Sequence, residues 1–203
     1  MKLYITPGSP YARMTRIVVL EKGLERRVEV ITAQTRAADS PYYRINPSGR
    51  VPYLIREDGV GLEESAVICD YLDSLDGKPV CGLPGGGQAW EARRLEALAR
   101  SLLDGVAVWG RELVRPENER SPTAIQHEAR RSERLADAWD GEIGSPLMHG
   151  GLNRIQLTLA CALGFEARIP GFRWRAGHPG LTAWFERIAA RPSLAATAPP
   201  RSV

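Results

Sequence analysis

The sequence predicts two domains of different class, an α/β domain followed by an all-helical one. Three observations carry this. Short apolar runs bounded by turn residues alternate with helical spacing as far as residue 75. A Gly- and Pro-rich run, DGKPVCGLPGGGQ, then interrupts all periodicity. Beyond it apolar residues step by threes and fours to the end of the chain. These mark domains at 1–76 and 88–203, with 77–87 as the linker.

In the first domain, residues 2–5 read as a strand ended by Thr6-Pro7-Gly8. Ser9-Pro10 opens a helix in a favoured arrangement, a hydroxyl cap followed by Pro at the first helical position. Met14, Ile17, Val18 and Leu20 give it an apolar face, and Lys22-Gly23 stops it. Residues 28–32 form a second strand, so strand, helix and strand make a parallel unit with a right-handed crossover. Strands over 52–56 and 60–63 and a helix over 65–75, capped by Ser65, complete the order. Periodicity alone leaves other α/β topologies open.

In the second domain Leu95, Leu98, Leu102, Val106, Trp109 and Leu113 line one helix face, ended by Arg115-Pro116. Ser121-Pro122 starts the next, expected to bury Ile125, Ala129, Leu135 and Trp139. Asn153 can cap a third helix with Gln156 bonding back three residues on, and Leu152 and Leu157 as a staple. Pro179 begins a last helix carrying Leu181, Trp184, Phe185 and Ile188, closed by Arg191-Pro192.

Composition excludes several functions. The net charge is +3 over 203 residues, with basic and acidic residues interleaved, which argues against nucleic-acid binding. Arg130, Arg131 and Arg134 read as a solvated helix face. The three cysteines, Cys69, Cys81 and Cys161, have no CxxC spacing, and His127, His149 and His178 have no ligand spacing, so no metal is expected. No apolar run approaches membrane-spanning length, and the amino terminus reads as a strand rather than a signal peptide. A cytoplasmic protein with no membrane partner is expected.

The stretch with most chemical content is 46–72. Asn46-Pro47-Ser48-Gly49 is a turn, and Pro52 stands at the entrance of a buried strand. A cis Val51-Pro52 bond would turn the Val51 main chain outward to pair with an extended ligand. The amino terminus of the following helix suits a carboxylate, and Glu64 suits an ammonium. The set fits a small peptide with an amino-acid zwitterion at one end.

Val51-Pro52 followed by Leu62-Glu63-Glu64-Ser65-Ala66-Val67-Ile68 resembles the glutathione-binding half of a glutathione S-transferase. Met1-Lys2-Leu3-Tyr4 to Ser9-Pro10-Tyr11-Ala12-Arg13 resembles bacterial, cytosolic members that use a serine at the first helix. The resemblance covers nearly the whole chain. It implies a thioredoxin-like first domain, and a thiolate of glutathione that attacks an electrophilic, largely apolar small molecule. Ser9 by itself is a good cap; the resemblance makes it the hydroxyl that donates to the sulfur, with Tyr4 and Tyr11 as rivals. Arg50, Val51, Pro52, Glu64 and Ser65 would hold glutathione, and Tyr11 would line the second-substrate pocket, one wall of which the helical domain would supply. The resemblance also implies a homodimer and a role in detoxification. A glutathione- or protein-binding module of the same fold without turnover is the alternative. The family has a Ser/Thr-x-x-Asp box where this chain has Asn153 and Gln156. The substitution gives up a charge–dipole contribution of roughly 0.3–1 kcal/mol.

Overall fold

The computed structural model describes residues 1–200. It divides into two compact units, Met1–Gly82 and a second beginning at Leu83. The division falls inside the Gly- and Pro-rich run.

The first unit has β1 (Lys2–Ile5), α1 (Pro10–Glu21), β2 (Glu29–Thr32), a 3-10 turn (Pro41–Arg44), β3 (Tyr53–Ile55), β4 (Gly61–Glu63) and α2 (Ser65–Ser74). The sheet order is β2-β1-β3-β4, with β1 and β2 parallel and the other pairs antiparallel. This mixed sheet with its helices is the expected thioredoxin-like arrangement. Successive residues of a strand face opposite sides, and the two sides are filled differently. Leu3 and Leu54, paired across β1 and β3, are fully buried, as are Met14, Ile17 and Val18 of α1 and Ile68 and Leu72 of α2. Tyr4 belongs to a separate cluster with Ala33 and Tyr42, its ring 5.5 Å from that of Tyr42. Tyr4 is therefore a core residue.

The end of this unit is fastened by an ion cluster around the buried Asp73. Lys22, at the end of α1, donates to Asp76 Oδ1 at 2.6 Å and to the Lys78 carbonyl at 2.6 Å, and stands 3.6 Å from Asp73 Oδ1. Asp73 in turn accepts from the main chain of Val80 and Cys81. Burial opposes the charge on Lys22, but the bonds and proximity to Asp76 and Asp73 outweigh it and raise its pKa.

The second unit has α3 (Ala89–Leu113), α4 (Pro122–Glu142), α5 (Arg154–Leu163), α6 (Pro179–Ala189) and α7 (Pro192–Ala196). Both α4 and α5 pack on α3, and every residue of α5 after Arg154 is buried. Trp109, Trp139 and Trp184 are core residues, as expected, and so is Trp174.

Two expectations need correction. The buried ridge of α4 is Glu128, Ser132, Ala136 and Trp139, whereas Ile125, Ala129 and Leu135 are only half-buried. Glu128 reaches the interior where α3 offers Gly105: a Cβ there would stand 2.7 Å from Glu128 Oε2. Arg191-Pro192 follows the end of α6 as expected, but α6 is not the last helix, since Pro192 opens α7.

Pro179 begins α6 as expected, and His178 is the residue that precedes it. Its Nδ1 meets the Trp174 carbonyl at 2.7 Å and its Nε2 meets Asp137 Oδ1 at 2.8 Å. Two acceptors on one ring favour the doubly protonated form. Burial acts against that charge, but the bonds to Asp137 and Trp174 prevail and raise the pKa.

Candidate functional site

The sheet register gathers three separate segments at one end of the first unit. Tyr4 pairs with Tyr53, and Tyr53 with Glu63. The carboxyl end of β1, the entrance of β3 and the exit of β4 therefore lie side by side. Ser9 follows the first of these, Val51-Pro52 immediately precedes the second, and Glu64-Ser65 follows the third.

Ser9 caps α1. Its φ and ψ are −83° and 120°, and its Oγ accepts from the Ala12 N–H at 3.2 Å. That bond uses an oxygen lone pair and leaves the hydroxyl proton to be donated. Cap and thiolate donor are thus compatible roles for one group. Tyr11, two residues on, is half-buried, and Arg13, one turn beyond Ser9, is 5% exposed. Arg16 has its pKa lowered by burial and then by Arg13.

The start of α2 differs from the sequence reading. Glu64, not Ser65, is the cap: its side chain accepts from the Ser65 N–H at 3.2 Å, and Ser65 is the first helical residue. Glu64 has φ +75°, a region that costs a non-glycine residue roughly 1–2 kcal/mol. Glu64 is exposed while Ser65 is 1% exposed. The turn thus presents a carboxylate to solvent beside the main-chain N–H groups of the helix's first turn.

The Val51-Pro52 bond is cis, as expected. Val51 stands just outside the ladder, which begins at Tyr53. The loop before it is held by side chains that the sequence did not single out. The Tyr42 hydroxyl donates to the Arg50 carbonyl at 2.5 Å, and Asn46 Nδ2 donates to the same oxygen at 3.0 Å. Both residues are nearly fully buried, at 3% and 2% exposure. Burial raises the Tyr42 pKa, so the phenol stays a donor. Asn46 Oδ1 accepts from the Ser48 N–H, and the Ser48 hydroxyl donates to Glu63, joining this loop to the exit of β4. Gly49, at φ +66°, lies under the Tyr43 ring. Arg50 itself has an exposed side chain at the edge of the group. The spacing NPSG betrays a turn, but the tyrosine that locks it is eight residues from its acceptor and has no local signature.

Among the described residues no group of three or more His, Cys, Asp or Glu side chains could hold a metal, and no helix is long and apolar enough to cross a membrane.

Comparison with known proteins bears directly on this arrangement. Residues 8–75 match the family model for the glutathione S-transferase N-terminal domain. Over 206 residues the chain is 30% identical to YibF of Escherichia coli (strain K12), an uncharacterized GST-like protein, and covers 100% of both. A glutathione transferase family member from Pseudomonas fluorescens Pf-5, solved with bound glutathione, is 31% identical with a TM-score of 0.85, covering 98% of each chain. A glutathione S-transferase from Methylobacterium radiotolerans, in complex with glutathione sulfonate, is 28% identical with a TM-score of 0.83, covering 100% of this chain and 96% of that one. The chain belongs to the glutathione S-transferase family.

Proposed function

We propose that the protein is a glutathione transferase that joins the glutathione sulfur to an electrophilic, largely apolar small molecule. The observation that carries this reading is the convergence of Ser9, Val51-Pro52 and Glu64-Ser65 at one end of the sheet. Glutathione is an extended tripeptide with an amino-acid zwitterion at its γ-glutamyl end. Its zwitterion would lie at the start of α2, with the carboxylate toward the N–H groups and Ser65 and the ammonium toward Glu64. Its peptide portion would pair with the main chain of Val51, ahead of Pro52, and Arg50 would meet its remaining carboxylate.

Ser9 would then donate its hydroxyl proton to the sulfur. A free thiol titrates near ~8.5, and lowering it by ~2 units requires about 2.7 kcal/mol of preferential thiolate stabilisation. A hydrogen bond to a charged acceptor supplies roughly 1.5–3 kcal/mol, and the amino terminus of α1 adds a smaller share. Ser9 is sufficient as the principal contributor. The thiolate attacks an electrophilic carbon, forming the carbon–sulfur bond as the leaving group departs or an activated double bond takes up the electron pair. Tyr11 would face the second substrate. The family likeness supports a homodimer in the cytoplasm with a role in detoxification.

The test is the ultraviolet thiolate absorbance of bound glutathione against pH, in wild type and Ser9→Ala at saturating ligand, with turnover of an aryl halide alongside. A curve displaced upward in the variant with turnover falling in parallel is expected. Superimposable curves would reduce Ser9 to a cap and shift attention to Tyr11. Glutathione binding without turnover of any electrophile would favour a binding module.

A further inference from the structure

Resting on that reading of the site, we infer that Tyr42 and Asn46 are positioning residues that aim the Val51 N–H at the peptide portion of glutathione. A single peptide plane links these residues to the ligand. The Arg50 carbonyl and the Val51 N–H belong to one planar trans unit, in which the two groups point in opposite directions. Fixing one fixes the other. Two donors converge on the Arg50 oxygen, the Tyr42 hydroxyl at 2.5 Å and Asn46 Nδ2 at 3.0 Å. Both come from residues in the interior of the unit. They draw the carbonyl inward and so hold the Val51 N–H outward, at the entrance of β3 where the ligand would run.

The two donors are themselves anchored. The Tyr42 ring packs against Tyr4 of β1, and the Asn46 N–H donates to the Tyr42 carbonyl at 2.9 Å. Asn46 Nδ2 also lies 3.4 Å from the Tyr42 oxygen, so the pair acts as one group. A second tether fixes the neighbouring peptide unit, because the Arg50 N–H donates to Ser48 Oγ at 3.2 Å while Ser48 donates to Glu63. The loop therefore meets the ligand with its orientation already set, and little ordering remains for binding to impose. Neither Tyr42 nor Asn46 would touch glutathione; each acts through Arg50 and Val51.

Tyr42→Phe removes only the hydroxyl and keeps the ring on Tyr4. Calorimetric titration would compare wild type and Tyr42→Phe with two ligands. One is glutathione; the other is an analogue whose cysteinyl carbonyl is reduced to methylene, so that it offers no acceptor to the Val51 N–H. The inference expects glutathione to bind Tyr42→Phe roughly three- to tenfold more weakly, with KM for glutathione rising and kcat at saturation kept. The analogue should bind the two proteins alike. Equal glutathione affinity in the two proteins, or an equal loss for both ligands, would overturn the inference. Failure of the wild type to bind glutathione would instead overturn the reading of the site. A melt of each ligand-free protein precedes the titrations, and if Tyr42→Phe does not fold, Asn46→Ala carries the same comparison.

Discussion

Helices α2 and α5 are of equal length, ten residues each, yet begin in opposite ways. At the start of α5 everything is closed. Asn153 accepts from the Gln156 N–H at 3.1 Å and donates through Nδ2 to the Leu147 carbonyl at 2.7 Å, and Gln156 Nε2 reaches the same carbonyl at 3.2 Å. All of this is buried. At the start of α2 the cap is an exposed glutamate in a left-handed conformation, bonded to the first N–H of the helix. The start of α5 is closed by buried bonds, whereas the start of α2 keeps its capping carboxylate in solvent, as the proposed glutathione site requires. The difference lies in what each terminus leaves for an outside partner, since both cap their helix.

The largest effect should come from the far end of α2, which is tied down as firmly as its start is open. Lys22→Met would leave the buried Asp73 without its cation and should cost about 3 kcal/mol. Urea unfolding measures this, and a loss under 1 kcal/mol would mean that the Val80 and Cys81 amides alone hold Asp73.

Next is Asn153→Ala, which removes a cap and a buried donor together. It should cost about 2 kcal/mol with glutathione affinity of the folded protein unchanged, as unfolding and calorimetry would show. A change in affinity would contradict the separation of roles. Glu64→Gly should act in the reverse sense. Relief of the positive φ should raise stability by up to about 1 kcal/mol, while loss of the carboxylate weakens glutathione binding. A variant that is both less stable and unaltered in binding would remove the contrast between the two helix starts.

The smallest effect concerns the joint of α4 with α6. The raised pKa of His178 means that the folded state binds its proton more tightly than the unfolded chain does. The resulting stabilisation is complete below the unfolded value near ~6.5 and is lost as pH rises through the folded value. Because the Asp137 side chain is 74% exposed, solvent screens the pair and the effect should be modest. Unfolding of wild type and His178→Gln between pH 5.5 and 8.5 should give curves that converge toward the alkaline end. Parallel curves would show that His178 is not protonated in the fold.

Much of this was legible in the sequence because the signals are local. Ser9-Pro10, Ser121-Pro122 and Asn153 cap where their residue types say they should. What was not legible depends on distant partners. Ser65 reads as a cap because serine favours that position, but the chain leaving β4 puts Glu64 into the left-handed region and moves the cap one residue back. The α4 stripe was misread because its interior positions include Glu128 and Ser132, polar residues that count as surface in any hydropathy pattern. Tyr42 has no local signature, since its hydroxyl acts on a backbone oxygen beyond the turn.

The amide pair at the start of α5 has a consequence for acid tolerance. A carboxylate in the place of Gln156 would have to take up a proton as the medium acidified, and the helix start would weaken with it. Amides do not titrate. The core helix of the second unit is therefore anchored by a lock that acid cannot open, and acid unfolding of this protein should begin at its carboxylates elsewhere, Asp76 among them, whose pKa the hydrogen bond from Lys22 lowers.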